Sequence, residues 1–290
     1  MEVNMSNDCE LRLSIAGGSG CDCSCVLECP YKHFLKYEQG WRLRRMPKYF
    51  AMGIVVHEAF FARDHGLFRA KWENGVIFDD TDEDAEGWPI DRDEDEIEAD
   101  VELAGKMLDE LEKEQIEVID SETKLSTPIM DPDNGKTPSH LEGVVVAGRR
   151  DMIEQRKGGE QLSDLKTSSK RWSKDQPLGM IQLPTYRYLE ACNGDPVHDR
   201  GDYVVVTKTK KPVVERYPVD MGDSDFFAVY QQFKASAETI LACRKSGEWP
   251  KHRHNCLGMY MQLCDYHPLC FPERYSDPEA EVNAKLERRG

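Results

Sequence analysis

The stretch from Leu141 to Ser169, LEGVVVAGRRDMIEQRKGGEQLSDLKTSS, constrains the fold more than any other part of the chain. Val144 to Val146 open a β-branched run, Gly158 and Gly159 tolerate positive φ at a tight turn, and Gln161 to Thr167 return. The pattern predicts a β-hairpin. With a two-residue turn at Gly158–Gly159, Lys157 faces Glu160, Asp151 faces Lys166 and Asp164 faces Ile153. Side chains alternate along a strand, so Asp151, Asp164 and Lys166 share one face. Their Cβ atoms then lie about 5 Å apart in the direct pair and about 7–8 Å apart on the diagonal. A four-residue loop keeps that arrangement and a three-residue loop inverts it. Paired carboxylates suit a hard divalent cation, which activates water and neutralises phosphate, and an ammonium beside them can orient that water. The same three residues also describe an ordinary solvated strand face with a cross-strand Asp–Lys pair.

A chain of 290 residues can bury a full core, as one elaborated domain or two closely packed ones. It has no apolar run near the ~18 residues of a membrane span, and MEVNMSNDCELRL lacks a signal-peptide core, so a cytoplasmic protein with no membrane partner is expected. In that compartment ten cysteines point to metal or redox chemistry in preference to disulfides. The net charge of −16 is mostly local: residues 79–102 hold fourteen acidic residues and one arginine, leaving −3 for the other 266. The remainder has basic clusters at Arg42, Arg44, Arg45 and Lys48, at Arg149 and Arg150, at Lys166, Lys170, Arg171 and Lys174, and at Lys208, Lys210 and Lys211. Each is either a solvated face or part of a phosphate-tracking groove, so composition does not exclude DNA.

Cys21, Cys23 and Cys25 follow a glycine-rich stretch and read as a flexible thiol-rich segment or a soft-metal chelate. A short amphipathic helix is expected after Cys29. Apolar spacing predicts a second helix from Met52 to His65, stopped by Gly66 and carrying His57, a residue type that ordinarily packs or lies at the surface. Residues 79–95 read as a mobile acidic insertion. A helix follows over Ile97 to Leu111, then a strand over 116–129 in which Glu117 or Glu122 could approach the hairpin face. Gln182 and Tyr186 share a helical face that Pro184 should kink. Tyr203–Thr207 and Pro212–Tyr217 form a second hairpin, and a helix through Phe226 and Leu241 stops at Gly247. Cys256, Cys264 and Cys270 close the informative part of the chain, and 273–290 is expected to fray. With Cys29 they give four thiolates, enough for one [4Fe–4S] cluster or one zinc ion.

D-x12-D-x-K across a hairpin resembles motifs II and III of the PD-(D/E)XK nuclease superfamily, and DLKTSS resembles the RecB-type version. Gly53-x-x-x-His57-Glu58 is similar to motif I and Gln182-x-x-x-Tyr186 to the Q-x-x-x-Y motif. CPYKHFLKY, with one early and three late cysteines, resembles iron–sulfur RecB-type nucleases, including the CRISPR-associated exonucleases. The resemblance implies an α/β, restriction-endonuclease-like core, a central mixed sheet flanked by helices, with a small lobe stapled by an Fe–S cluster. It implies a loose segment 1–28, a nuclease domain over 29–272 with an acidic insertion near 79–96 and its Fe–S lobe closed by 256–270, and a charged tail 273–290. It further implies Mn²⁺ or Mg²⁺ held by His57, Asp151, Asp164 and the Leu165 carbonyl, with Lys166 as the catalytic ammonium and Gln182 and Tyr186 along the DNA path. Cys29, Cys256, Cys264 and Cys270 would hold the [4Fe–4S] cluster, zinc being the alternative. The expected activity is hydrolysis of DNA that is single-stranded or has free ends, by an exonuclease of recombination, repair or phage- or CRISPR-related processing. The alternative is a non-catalytic DNA-binding subunit of a larger complex.

Overall fold

The computed structural model describes residues 11–14, 21–78, 87–257 and 262–288. Its main elements are β1 (Leu11–Ser14), α1 (Cys23–Glu28), α2 (Lys48–Ala62), α3 (His65–Asn74), α4 (Ile97–Lys113), β2 (Val118–Pro128), β3 (Val144–Arg156) and β4 (Gly159–Ser168). They continue with α5 (Gln182–Asn193), β5 (Arg200–Thr207), β6 (Val214–Asp220), α6 (Asp223–Ser246), α7 (Pro278–Lys285) and β7 (Leu286–Arg288). One mixed sheet runs β6-β5-β4-β3-β1 and on to Cys21–Asp22, with β2 also on β3. β4 and β5 are parallel, as are β1 and β3; the other main pairings are antiparallel. Alternation along β5 sorts the two faces. Val204 and Val206 pack with α2, α3 and α4, whereas Tyr203 and Val205 pack with Leu183 and Tyr186 of α5. Among the described residues no helix is long and apolar enough to cross a membrane.

The central hairpin turns one residue earlier than the glycine pair suggests. Arg156 faces Gly159 and Met152 faces Ser163, so Lys157 and Gly158 form the turn. An even slip keeps every side chain on its face. It brings Asp151 alongside Asp164, where the glycine-pair register set it opposite Lys166. Gly159, at φ 116, is the residue that needs to be glycine, because a Cβ at either glycine meets nothing within 4 Å. Gly159→Ala is therefore expected to cost about 1 kcal/mol and Gly158→Ala almost nothing, as read by urea unfolding. Equal costs would contradict this turn.

The sheet forks beside Asp151. β2 occupies one edge of β3 from Val145 to Glu154. The other edge is shared: β1 takes Val144–Val146 and β4 takes Met152–Arg156, with no described strand partner between them. At the fork the Leu165 N–H donates to the Asp151 carboxylate at 3.0 Å. The pleat also changes sides here. Val144 and Val146 pack toward Tyr188 and Leu189 of α5, but Met152 packs with the α2–α4 layer. Asp151 sits at that crossover.

Several boundaries differ from the sequence reading. α2 begins at Lys48 and ends at Ala62, where Arg63 takes φ 52. Asp64 then caps α3 by accepting from the N–H groups of Gly66 and Leu67, so Gly66 starts a helix instead of stopping one. Pro184 lies in the first turn of α5, where its missing N–H has no helical partner to lose, and no kink is required. Leu13 is fully buried within the segment expected to be loose. The expected frayed tail instead forms α7 and β7, the latter pairing with Trp41–Leu43. Residues 79–86 of the acidic insertion lie outside the described residues; 88–91 form a strand against Val76–Ile77 and Met46–Pro47. Leu35, Tyr266, Cys270, Val282 and Leu286 make a small separate core, so apolar packing already ties the two ends of the chain together.

Candidate active site

α2 delivers His57 to the fork. It can lie close to β4 because Gly53 has no side chain: a Cβ there would stand 3.1 Å from Thr167 Oγ1. His57 Nδ1 is 3.6 Å from Asp151 Oδ2. Glu122 joins them from β2, lying between the Ser121–Met152 and Thr123–Arg150 pairs and thus across from Asp151. The donor atoms of His57, Glu122 and Asp151 all fall within 4.8 Å of one another. Glu122 has φ 56, an uncommon value for a residue other than glycine in a strand. Its carboxylate also accepts from Arg149 Nε at 2.9 Å. Glu117, the other candidate of that strand, lies further up the sheet, where its carbonyl accepts from the Gln155 N–H.

Asp164 completes the patch. Its Oδ2 pairs with Lys166 Nζ at 2.5 Å, and the Tyr186 hydroxyl lies 3.5 Å from Oδ1. Asp164 is fully buried and Tyr186 is 2% exposed. Tyr186 is therefore buried against a carboxylate, and Gln182 stands half-buried one turn earlier at the start of α5.

The electrostatics record a concentration of negative charge. Burial first, and the Asp151 carboxylate second, push Asp164 up to about 7 against the pull of Lys166. Burial likewise raises Asp151, opposed by Lys166 and the Leu165 N–H. For Lys166 burial works downward, but Asp164 and Asp151 outweigh it and hold the ammonium above its ordinary value. Burial, then Lys166, lowers His57 to about 4, so the imidazole is neutral near pH 7. Burial and then the two aspartates raise Tyr186 far above its usual range, keeping it a hydroxyl donor. Two buried carboxylates beside one ammonium leave negative charge uncompensated, which is costly in a dry site. Carboxylate oxygens with one neutral imidazole are the donor chemistry of Mn²⁺ or Mg²⁺ sites, so the residues present fit a divalent cation.

The sequence profile of the PD-(D/E)XK nuclease superfamily matches residues 22–271. The chain belongs to the PD-(D/E)XK nuclease superfamily. Its fold agrees: a Eubacterium rectale protein assigned as an exonuclease superposes with a TM-score of 0.54 at 15% identity, covering 88% of this chain and 91% of that one. SSO0001 aligns over 66% of this chain and 76% of its own at 12% identity, with a TM-score of 0.27 that adds nothing to the fold argument. Among curated proteins no match was found. Divalent metal chemistry is the common property of this nuclease superfamily, and the cluster at the fork is suited to it.

The basic residues of this nuclease are less available than their number suggests. Arg149 pairs with Glu122, and Arg150 bridges Asp120 and Glu190 at 2.6 and 2.7 Å. Lys48 pairs with Glu96 and Asp100. Of the second cysteine set, Cys270 belongs to the small core joining Leu35 to Leu286 and Cys264 packs against it. Burial, then Cys264, Cys29 and Cys256 among the neighbours, pushes Cys270 up to about 12. The His252 N–H reaches Cys29 Sγ at 3.5 Å, and the Cys264 N–H donates to the Cys256 carbonyl at 2.7 Å. Cys25, expected in a loose segment, is buried.

Proposed function

We propose that the chain is a metal-dependent DNA exonuclease acting on single strands or free ends. The observation that carries this reading is the convergence of His57, Glu122, Asp151, Asp164 and Lys166 on the fork between β3 and β4. His57, Asp151 and Asp164, with the Leu165 carbonyl, would hold the cation, and Glu122 joins that set. When bound, the cation supplies Lewis-acid polarisation of the phosphodiester and a more acidic water. Lys166 positions that water and neutralises charge building on the phosphate, while Asp164 holds the ammonium in place. Tyr186 keeps Asp164 oriented, and Gln182 lines the approach. Recombination, repair or phage- or CRISPR-related processing are the settings such an activity serves.

End-labelled single- and double-stranded DNA should be digested with Mn²⁺ and not with EDTA, and covalently closed circles should resist. His57→Ala should weaken Mn²⁺-supported cleavage at least tenfold while leaving the unfolding transition nearly unchanged. DNA binding without cleavage under Mn²⁺ would make the protein a non-catalytic subunit and sink the proposal.

We propose that the lobe holds a [4Fe–4S] cluster through Cys29, Cys256, Cys264 and Cys270: Cys270 and Cys264 lie in or against its apolar core, the Cys264 N–H donates to the Cys256 carbonyl, and the His252 N–H is directed at the Cys29 sulfur. Anaerobic protein should then be brown, with iron and acid-labile sulfide near four each. Cys29→Ser and Cys270→Ser should lose the colour and part of the stability, the apolar lobe core retaining the rest. Cys21→Ser and Cys23→Ser should keep both. Stoichiometric zinc without sulfide would replace the cluster with a zinc site.

A further inference from the structure

We propose that Tyr49 and Phe50, in the first turn of α2, form a stacking site for unpaired bases of the strand that enters the fork; this rests on the nuclease reading above. Both rings are 59% exposed, and they lie against each other with centroids 4.4 Å apart at 36°. Isolated exposed aromatics are common and need no function. Position sets this pair apart. Phe50 and His57 are seven residues apart, hence two helical turns, about 20° apart around the axis and about 10 Å along it. That is about three stacked-base spacings of 3.4 Å. Between them lie the exposed Ile54 and the side-chain-free Gly53, which faces Thr167, the residue after Lys166. Gly53 packs against β4, so a strand whose phosphate sits at the fork would run past the exposed, uncharged Ile54 and end on the two rings.

Charge on this side is positive. Lys208 Nζ donates to the Tyr49 carbonyl at 3.1 Å, and the Lys208 N–H donates to the Ser168 carbonyl at 2.6 Å. These two bonds fasten the β5–β6 hairpin tip to both the first turn of α2 and the end of β4. The tip carries the exposed Lys210 and Lys211, and the exposed Lys170 and Arg171 follow β4. The acidic residues Glu96 and Asp100 are bound to Lys48, which lies 200° around the helix from Phe50 and so on its far side. Phosphates would meet lysines while the bases meet the rings. Every base offers a π face, so such a site is tolerant of sequence. Bases within a duplex are already stacked, so it favours single strands.

The test uses the full-length protein and short single-stranded DNA carrying 2-aminopurine at successive positions, bound in the Lys166→Ala background with Mn²⁺. Fluorescence should be quenched about three nucleotides from the phosphate at the fork. Phe50→Ala and Tyr49→Ala should each relieve the quenching. In the otherwise wild-type enzyme, each should raise KM for single strands about tenfold, with kcat within twofold and the Tm unchanged. Phe50→Trp should restore the wild-type KM, and blunt duplexes should respond less than single strands. Unchanged quenching and KM in both alanine variants, with a wild-type enzyme that digests DNA, would overturn the stacking site alone. A wild-type protein that fails to digest DNA overturns the nuclease reading, and this proposal falls with it. If Phe50→Ala instead lowers the oligomeric mass while single-strand affinity holds, the rings dock a protein chain and the proposal is wrong.

Discussion

Asp151→Asn and Asp164→Asn are each expected to reduce cleavage on the order of 10³-fold or more, and at the same time to raise the Tm of the metal-free protein. The loss follows from the removal of a carboxylate that would hold the cation and, at Asp164, of the anchor for Lys166. The gain follows from the geometry of the fork, where burial raises both carboxylates and the Asp151 charge raises Asp164 further. An amide of the same shape removes one of the two opposed charges. Lys166→Ala should abolish cleavage equally but move stability the other way, since it leaves Asp164 buried without its ammonium. Thermal melts with and without Mn²⁺ separate these roles. Added Mn²⁺ should stabilise wild type and Lys166→Ala, and should stabilise the two asparagine variants much less. Active Asp151→Asn and Lys166→Ala variants would end the assignment of this site.

Glu154→Gln should lower the Tm by roughly 10 °C, although the residue is three positions from Asp151 and touches nothing in the site. The alternation of the hairpin places Glu154 on the face away from Asp151, where substitution would be expected to be silent. The structure buries it there. Arg216 grips it with two bonds, 2.7 Å from Nη1 and 3.0 Å from Nη2, and the Ser163 hydroxyl donates to it as well. Arg216 also reaches Asp202 at 3.2 Å, and Arg156 reaches Asp202 at 3.5 Å. With Glu154 at 1% exposure, removing its charge leaves Arg216 short of a partner in a dry setting. Breaking such a pair costs about 3–5 kcal/mol, or a few degrees per kcal/mol at this chain length. Replacing Glu154 and Arg216 together by apolar residues should recover much of that loss. Glu154→Gln melting at the wild-type temperature would show that the network contributes nothing.

The hairpin and the shared face of Asp151, Asp164 and Lys166 were legible because strand alternation is a local, two-residue rule. α4 and α6 were legible for the same kind of reason, through the 3.6-residue period of Ala104, Leu108 and Leu111 and of Phe226, Tyr230 and Phe233. The exact pairing was not. Gly158 and Gly159 both permit a turn, and a slip of two residues leaves every face unchanged, so alternation is blind to it. The acidic partner from β2 was equally undetermined: Glu117 and Glu122 belong to one strand, and only the pairing of β2 with β3 sets Glu122 beside Asp151. Arg149 and Arg150 looked available for phosphate until the fold supplied Glu122, Asp120 and Glu190. By itself the sequence determined the hairpin and which side of their own strand Asp164 and Lys166 occupy, since neighbours along the chain decide both. The tertiary structure alone decided which charges meet, which are neutralised and which are buried, because those partners lie tens of residues away and only packing brings them within a few ångströms.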